Sequence, residues 1–276
     1  MNGARSAERF DALYRRLREV PSLLVAFSGG ADSTFLLAMA LKEVPGRVLA
    51  ITARSAAHPA REIENAEVTA RILGAEHRVV ATAETDDPSF RANGPERCYY
   101  CKHLLLQDFL ELARAEKLAA VADGTTADEL LGYRPGARAA AELGVLSPLA
   151  EAGLTKDDVR LLARQNGVPN FDRPPTACLA TRFPYGEEIT PEKLRIIEDA
   201  EQTLADLGFR QIRCRYHGET ARVEVGPKEV ARAAAPDVRR HLVSRLHELG
   251  FRYVTLDLDG YRTGSMDETK ENRHGR

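Results

Sequence analysis

The 276-residue chain has little of what would mark a secreted, membrane-spanning or nucleic-acid-coating protein. Its four cysteines, Cys98, Cys101, Cys178 and Cys214, are too few for a disulfide scaffold at this length, so reduced thiols are expected. No run of about 18 apolar residues exists, and the first residues, MNGARSAERF, lack a signal-peptide core. A cytoplasmic location is the resulting expectation. The formal net charge of −2 gives no general pull toward nucleic acid or membrane, although local arginine clusters could still bind phosphates. Internal repeats and low-complexity segments are absent as well. What remains, 43% apolar and 29% charged residues, is the composition of an ordinary soluble globular protein with one large or two modest domains.

Phe10, Leu13, Tyr14, Leu17 and Val20 recur at helical spacing and predict an amphipathic first helix. Short apolar runs then alternate with helical patterns. Strands are expected over 23–27, 48–52, 78–81 and 119–122, and helices over 33–42, 59–73 and 102–116. Apolar strands separated by helices argue for a mostly parallel sheet of about five strands, covered on both faces. Thr155 with Asp158 opens a further helix that Gly167 closes. The proline-bounded stretch from Arg173 to Gly186 has little periodicity, which puts a domain boundary just beyond it. The expected division is 1–186, then 187–266, then a frayed polar tail over 267–276. In the second part Thr190-Pro191 caps a helix through Leu194, Ile197, Leu204 and Leu207. Strands over 211–216 and 221–225, a helical region over 228–249 and a last strand over 253–258 complete a small α+β domain. The fold class read from this pattern is α/β with that α+β domain appended.

One loop stands out. FSGGADS, residues 27–33, follows an apolar strand and feeds a helix. Such a turn offers backbone N–H groups and the positive end of a helix dipole to an anion. Ser28 and Ser33 add hydroxyl donors, and Gly29 and Gly30 let the backbone approach phosphate closely. Asp32 would repel phosphate unless a divalent cation lay between them, so Mg²⁺ is implied. The Gly-Lys-Ser/Thr ending of a Walker loop is missing, and so is the three-glycine dinucleotide spacing. The alternative is a tight strand-to-helix turn without a ligand. SGG-x-DS after an apolar strand resembles the PP-loop motif of the ATP pyrophosphatases, which bind ATP through its β,γ-diphosphate and transfer AMP to a substrate. In ADGTTADELLGYRPG, which begins at the end of a predicted strand, Gly124 and Thr125 could touch the nucleotide and Asp128 could share the metal. The same residues could equally form a helix cap.

The cysteines bear on the second reactant. Cys98-x-x-Cys101 lets two thiolates meet one metal centre, and Cys178 follows in PTACLATRFPYG. Three cysteines suit a cluster ligated at three irons with the fourth left open, whereas structural zinc prefers four closed ligands. Cys214 alternates with Arg213 and Arg215 on a predicted strand and reads as a buried apolar residue. A zinc knuckle or two core cysteines is the plainer alternative for the pair. Arg213 and Arg215 point the same way on their strand, and paired guanidinium groups suit a phosphate, although a solvated strand face would look the same.

SGG-x-DS, GTTADE…YRPG, ACLATRFPYG and the later RCRYHGETARVEV together resemble the LarE family, from about Arg9 to Asp259. The resemblance implies a sulfur transferase of nickel-pincer cofactor synthesis. ATP would adenylate a carboxylate of pyridinium-3,5-biscarboxylic acid mononucleotide, and sulfur would replace oxygen to give a thiocarboxylate. Some members sacrifice the sulfur of a cysteine at the position of Cys178. With Cys98 and Cys101 present, the resemblance implies the cluster-bearing type, in which Cys98, Cys101 and Cys178 hold a [4Fe-4S] cluster; sacrifice of Cys178 is the alternative. By the same resemblance Arg182 would join Arg213 and Arg215 on the substrate phosphate. Glu201 and Glu224 would be either metal ligands, as in some relatives, or surface carboxylates. The implied partners are a small-molecule mononucleotide, an upstream carboxylase, a downstream nickel-inserting enzyme and further copies of the chain, with neither nucleic acid nor membrane. Competing readings are a PP-loop tRNA thiolation enzyme, an ammonia-using ligase and a nucleotide-binding regulator with a structural metal site.

Overall fold

Four short strands pair side by side, all parallel: β1 (Leu23–Ala26), β2 (Val48–Arg54), β3 (Glu76–Ala81) and β4 (Ala120–Ala122), in the order β3-β2-β1-β4. This computed structural model describes residues 2–131, 134–173 and 177–262. The tail expected over 267–276 lies outside the described residues. Two compact units are present, residues 1–90 with 95–176 and residues 91–94 with 177–276.

Helix α1 (Asn2–Arg18) precedes β1, and α2 (Ala31–Glu43) and α3 (Ala60–Ile72) follow β1 and β2. Helices α4 (Pro88–Arg91) and α5 (Arg97–Ala115) lie between β3 and β4, and α6 (Pro135–Glu142), α7 (Pro148–Glu151) and α8 (Lys156–Gln165) follow β4. Side chains alternate across a strand, so a sheet covered on both faces needs apolar residues at every position. On β1, Leu23 and Val25 join a core with Leu13, Phe35, Leu149 and Leu162 from α1, α2, α7 and α8. Leu24, on the opposite face, packs with Leu49, Ile51, Leu106, Phe109 and Val121. Leu23 to Val25 are fully buried, as the apolar run predicts. The expected cap of α8 is present: Asp158 N donates to Thr155 Oγ1 and Thr155 N to Asp158 Oδ2, each at 3.2 Å, and Gly167 follows the helix at φ +65°.

The sheet has four strands rather than about five. Leu146 makes a single parallel bridge to Ala122, and Ser147-Pro148 follows at once. Proline lacks the N–H that a longer ladder requires and here begins α7.

The second unit carries α9 (Pro191–Asp206), strands β5 (Ile212–His217) and β6 (Thr220–Val225), helices α10 (Val230–Ala234) and α11 (Pro236–Glu248), and strand β7 (Tyr253–Leu256). β5 and β6 form an antiparallel hairpin, and β7 adds parallel to β6. Thr190 caps α9 by accepting from Lys193 N, with Pro191 in the first turn. The helical region expected as one over 228–249 is broken where Pro236 opens α11, since residues before proline avoid the α conformation. Among the described residues no helix is long and apolar enough to cross a membrane.

Candidate active site

Helix α2 begins at Ala31, two residues earlier than its pattern predicts, so Asp32 and Ser33 stand in its first turn. The preceding loop closes on itself. Ser33 Oγ lies 3.1 Å from Ser28 Oγ, accepts from Ser28 N at 3.3 Å and donates to Gly30 O at 3.2 Å. Gly29 adopts φ +70°, and a Cβ there would come within 2.8 Å of Ala66 Cα on α3, so only glycine fits. The N-cap of α2 is Gly30, and no side chain among the described residues makes a capping hydrogen bond there. A 13-residue helix therefore presents its positive end at an exposed serine and two glycines.

Burial pushes the Asp32 carboxyl up to about 6, and Lys156 and Arg160 of α8 pull against that rise while Glu129 and Asp128 add to it. Asp32 thus shares its surroundings with two further carboxylates and two cations. Asp128 accepts from Lys156 N at 3.1 Å, and Lys156 Nζ sits 3.0 Å from Glu129 Oε1. Gly124 packs on the loop itself: a Cβ there would meet Ser33 N at 2.9 Å. Thr125 turns its hydroxyl to Asp123 Oδ2 at 2.9 Å, and Asp123 also accepts from Lys102 Nζ at 2.5 Å and Ser147 Oγ at 2.8 Å. Burial alone would raise Asp123, yet these donors hold it below the ordinary carboxylate range. The cap reading of this stretch has substance too, since Thr126 N and Oγ1 both donate to Glu129 Oε2.

Cys98 and Cys101 lie on α5, which begins five residues before its predicted start. Residues three apart share a helix face, so both thiols lie on one side, Cys98 exposed and Cys101 half-buried. Arg97 Nη2 approaches Cys98 Sγ at 3.8 Å.

In the second unit Cys178 opens a short 3-10 turn over Leu179–Arg182, its Sγ accepting from Ala180 N at 3.4 Å. Arg182 is fully buried. Its Nε and Nη2 donate to the two carboxylate oxygens of Glu201 at 2.8 and 2.9 Å, and its Nη1 donates to Ala177 O, Cys178 O and Thr181 Oγ1. Arg215 makes the same two-pronged contact with Glu224 at 3.1 and 2.9 Å and donates to Thr181 O at 3.2 Å. Glu201 also accepts from Cys214 N, and although burial alone would raise its pKa, Arg182 holds it below the ordinary carboxylate range. Neither Glu201 nor Glu224 is the surface carboxylate the sequence allowed, nor do the strand arginines form a solvated face. Arg213 differs from its neighbours. It is buried, its guanidinium donates to Ile212 O at 2.6 Å and lies 5.0 Å from the Tyr261 ring, and no carboxylate among the described residues pairs with it. Burial lowers its pKa and Arg182 and Arg215 add to this, while Glu201 and Tyr261 pull the other way without reversing it.

A family model for asparagine synthase matches residues 10–202. Over 259 residues the chain is 36% identical to the pyridinium-3,5-bisthiocarboxylic acid mononucleotide synthase of Lactiplantibacillus plantarum, and the match covers 93% of both proteins. The chain belongs to the LarE family of PP-loop enzymes. A Synechocystis protein is 40% identical over 249 residues, covering 90% of this chain and 93% of that one. The argininosuccinate synthase of Haloarcula marismortui is 32% identical over 161 residues, covering 54% of this chain and 38% of that protein. As a LarE-family member the chain is an ATP-dependent sulfur transferase.

The structure therefore gathers the sequence-predicted residues of this LarE-family chain into separate groups. Ser28, Gly29, Gly30, Asp32, Ser33 and Gly124 meet around the start of α2, with Asp128 near enough to act on Asp32. Cys178, Arg182, Arg213, Arg215, Glu201 and Glu224 gather in the second unit. Cys98 and Cys101 share α5. Among the described residues, no three His, Cys, Asp or Glu side chains are gathered into a metal-binding group. Mg²⁺ does not require one, because with nucleotides it is held by one or two carboxylates plus phosphate oxygens. Lys156 and Arg160 are the cations that sequence reasoning missed. Nothing in KDDVRLLAR sets them apart from an ordinary charged helix face.

Proposed function

We propose that this chain adenylates a carboxylate of pyridinium-3,5-biscarboxylic acid mononucleotide with ATP and replaces the activated oxygen with sulfur. The relative from Lactiplantibacillus plantarum, named for the bisthiocarboxylic product, supports the substrate. The observation that carries the reading is Arg213. A buried guanidinium that forms no ion pair with a carboxylate among the described residues is costly, and a bound anion would offset that cost. In this reading the mononucleotide phosphate occupies Arg213 and draws on the charge of Arg215, while Arg182 fastens the Cys178 turn.

The carboxylate oxygen attacks the α-phosphorus of ATP, and pyrophosphate leaves. The Ser28–Ser33 loop and the N-terminus of α2 hold the leaving diphosphate by backbone and hydroxyl donors. Asp32 and Asp128 would hold Mg²⁺, which neutralises charge on that leaving group. A sulfur nucleophile at the acyl carbon then expels AMP, and the thiocarboxylate remains.

Two thiols on one face of α5, with the Arg97 guanidinium beside one of them, fit the chemistry of iron ligation. Cys98, Cys101 and Cys178 would hold a [4Fe-4S] cluster, and the cluster would supply the sulfide. A second reading makes Cys178 itself the donor, favoured by a thiol that stands at the start of a turn pinned by Arg182. The test is pyrophosphate release in the presence of Mg-ATP and the biscarboxylic mononucleotide. Release that requires both is expected, and release indifferent to the mononucleotide would overturn the substrate assignment.

A further inference from the structure

We propose that Asn170 and Arg173 are positioning residues that set the orientation of the Gly29–Gly30 peptide in the nucleotide loop, an inference that rests on the ATP reading above. Two adjacent glycines give this loop its close approach and also its weakness. Glycine takes positive and negative φ with similar ease, so a Gly-Gly peptide left to itself can rotate to face either way. In one orientation Gly30 offers an N–H to the anion. In the other Gly29 turns a carbonyl oxygen toward it and repels it.

The structure holds one orientation from outside. Asn170 Nδ2 donates to Gly29 O at 3.2 Å, and Arg173 Nη1 donates to the same oxygen at 3.4 Å. A trans peptide is planar with its N–H and C=O pointing in opposite directions. A Gly29 carbonyl fixed toward residues 170–173 therefore turns the Gly30 N–H the other way, where it donates a long, 3.4 Å hydrogen bond to Oγ of the exposed Ser28, a bond that an anion would replace.

Both donors are themselves held. The Asn170 amide also donates to Thr69 Oγ1 at 2.7 Å, and Thr69 Oγ1 donates to Asn65 O at 2.7 Å on α3. Arg173 pairs with Glu62 of α3 at 2.8 Å. Asn170 stands at φ +63°, a left-handed conformation that most residues resist and asparagine tolerates. That turn is where an amide side chain and a backbone bend are needed together.

A purely structural tie between α3 and this segment would affect stability. A positioning role affects ATP. Asn170→Gly separates the two, because glycine adopts φ +63° freely and removes only the amide. Calorimetric titration with Mg-ATP should show affinity weakened about tenfold or more in Asn170→Gly, the loss of one preorganised contact. Its thermal midpoint should fall only modestly, by the Thr69 contact that goes with the amide, and Arg173→Lys should fall between wild type and Arg173→Ala in ATP affinity. In steady state the same variants should raise the KM for ATP and leave the KM for the mononucleotide unchanged. Wild-type Mg-ATP affinity in Asn170→Gly overturns this inference alone. Failure of the wild type to bind Mg-ATP overturns the nucleotide reading and the inference with it.

Discussion

Arg182 and Glu201 face each other through two parallel hydrogen bonds of 2.8 and 2.9 Å in a place that solvent does not reach. The third guanidinium nitrogen reaches back to the carbonyls of Ala177 and Cys178. One buried pair thus joins α9 to the turn that carries the sulfur-bearing residue.

Breaking that pair by removing one partner leaves a buried, uncompensated charge. Arg182→Ala is expected to destabilise the protein by about 3–5 kcal/mol in urea unfolding, the cost of orphaning Glu201. Sulfur transfer should be lost even under conditions where the variant stays folded, because the Cys178 turn loses its anchor. A loss of stability under about 1 kcal/mol, the value of an exposed pair, would contradict the buried geometry.

Asp32 links pH to both stability and activity. Its folded-state pKa is raised to about 6 from an ordinary value of 3.8, chiefly by burial. The folded protein therefore holds this proton more tightly than the unfolded chain. The associated stability is present below about pH 4 and is lost as pH rises through about 6. In nucleotide-free, metal-free buffer, Asp32→Asn should melt higher than wild type above about pH 6, and the two should converge near about pH 4. Pyrophosphate release should behave oppositely, falling in wild type at low pH as the proton displaces Mg²⁺ from the carboxylate, and absent in Asp32→Asn and Asp32→Ala. Unchanged release in these variants would remove Asp32 from the adenylation step.

Arg213 and Arg215 occupy one strand and are expected to respond differently. Alanine at either position should weaken mononucleotide binding by ~1.5–3 kcal/mol, about one to two decades in KM, with little effect on ATP. Stability distinguishes them. Arg215→Ala removes a partner of the buried Glu224 and should lower the melting temperature. Arg213→Ala removes a cation with no carboxylate partner among the described residues and should leave the melting temperature unchanged or raise it. Equal destabilisation by both would mean that Arg213 is as well compensated as its neighbour.

Much of this was legible in the residues because the signals are local. The apolar runs of β1 and β2 require a sheet covered on both faces, and Thr155 with Asp158 and Gly167 marks both ends of α8. What stayed hidden depends on partners far away in sequence. Resemblance implies that Arg182 contacts the substrate phosphate, and nothing local shows that Glu201, nineteen residues on, takes two of its guanidinium nitrogens. Asn170 and Arg173 carry no motif of their own, and their shared acceptor lies more than 140 residues earlier. The start of α5 was missed for a simpler reason: Arg97, Tyr99 and Tyr100 give no apolar period, so the helix could be seen only from Lys102 onward.

The cysteines decide where the sulfur comes from. Cys98 and Cys101 stand on one face of α5, and thiolates are the ligands that iron prefers. Cys214 is fully buried on β5, and burial pushes its thiol well above the ordinary range. Anaerobic reconstitution with iron and sulfide, followed by iron counting and absorbance, should therefore give a cluster in wild type and in Cys214→Ala. Alanine at Cys98, Cys101 or Cys178 should lose the cluster and sulfur transfer together, while substrate-dependent pyrophosphate release survives. A donor renewed from outside also permits many turnovers, whereas a sacrificed Cys178 permits one per chain. If Cys98→Ala and Cys101→Ala each still transfer sulfur once, with Cys178 losing the mass of H₂S, then Cys178 is the donor and α5 has another task.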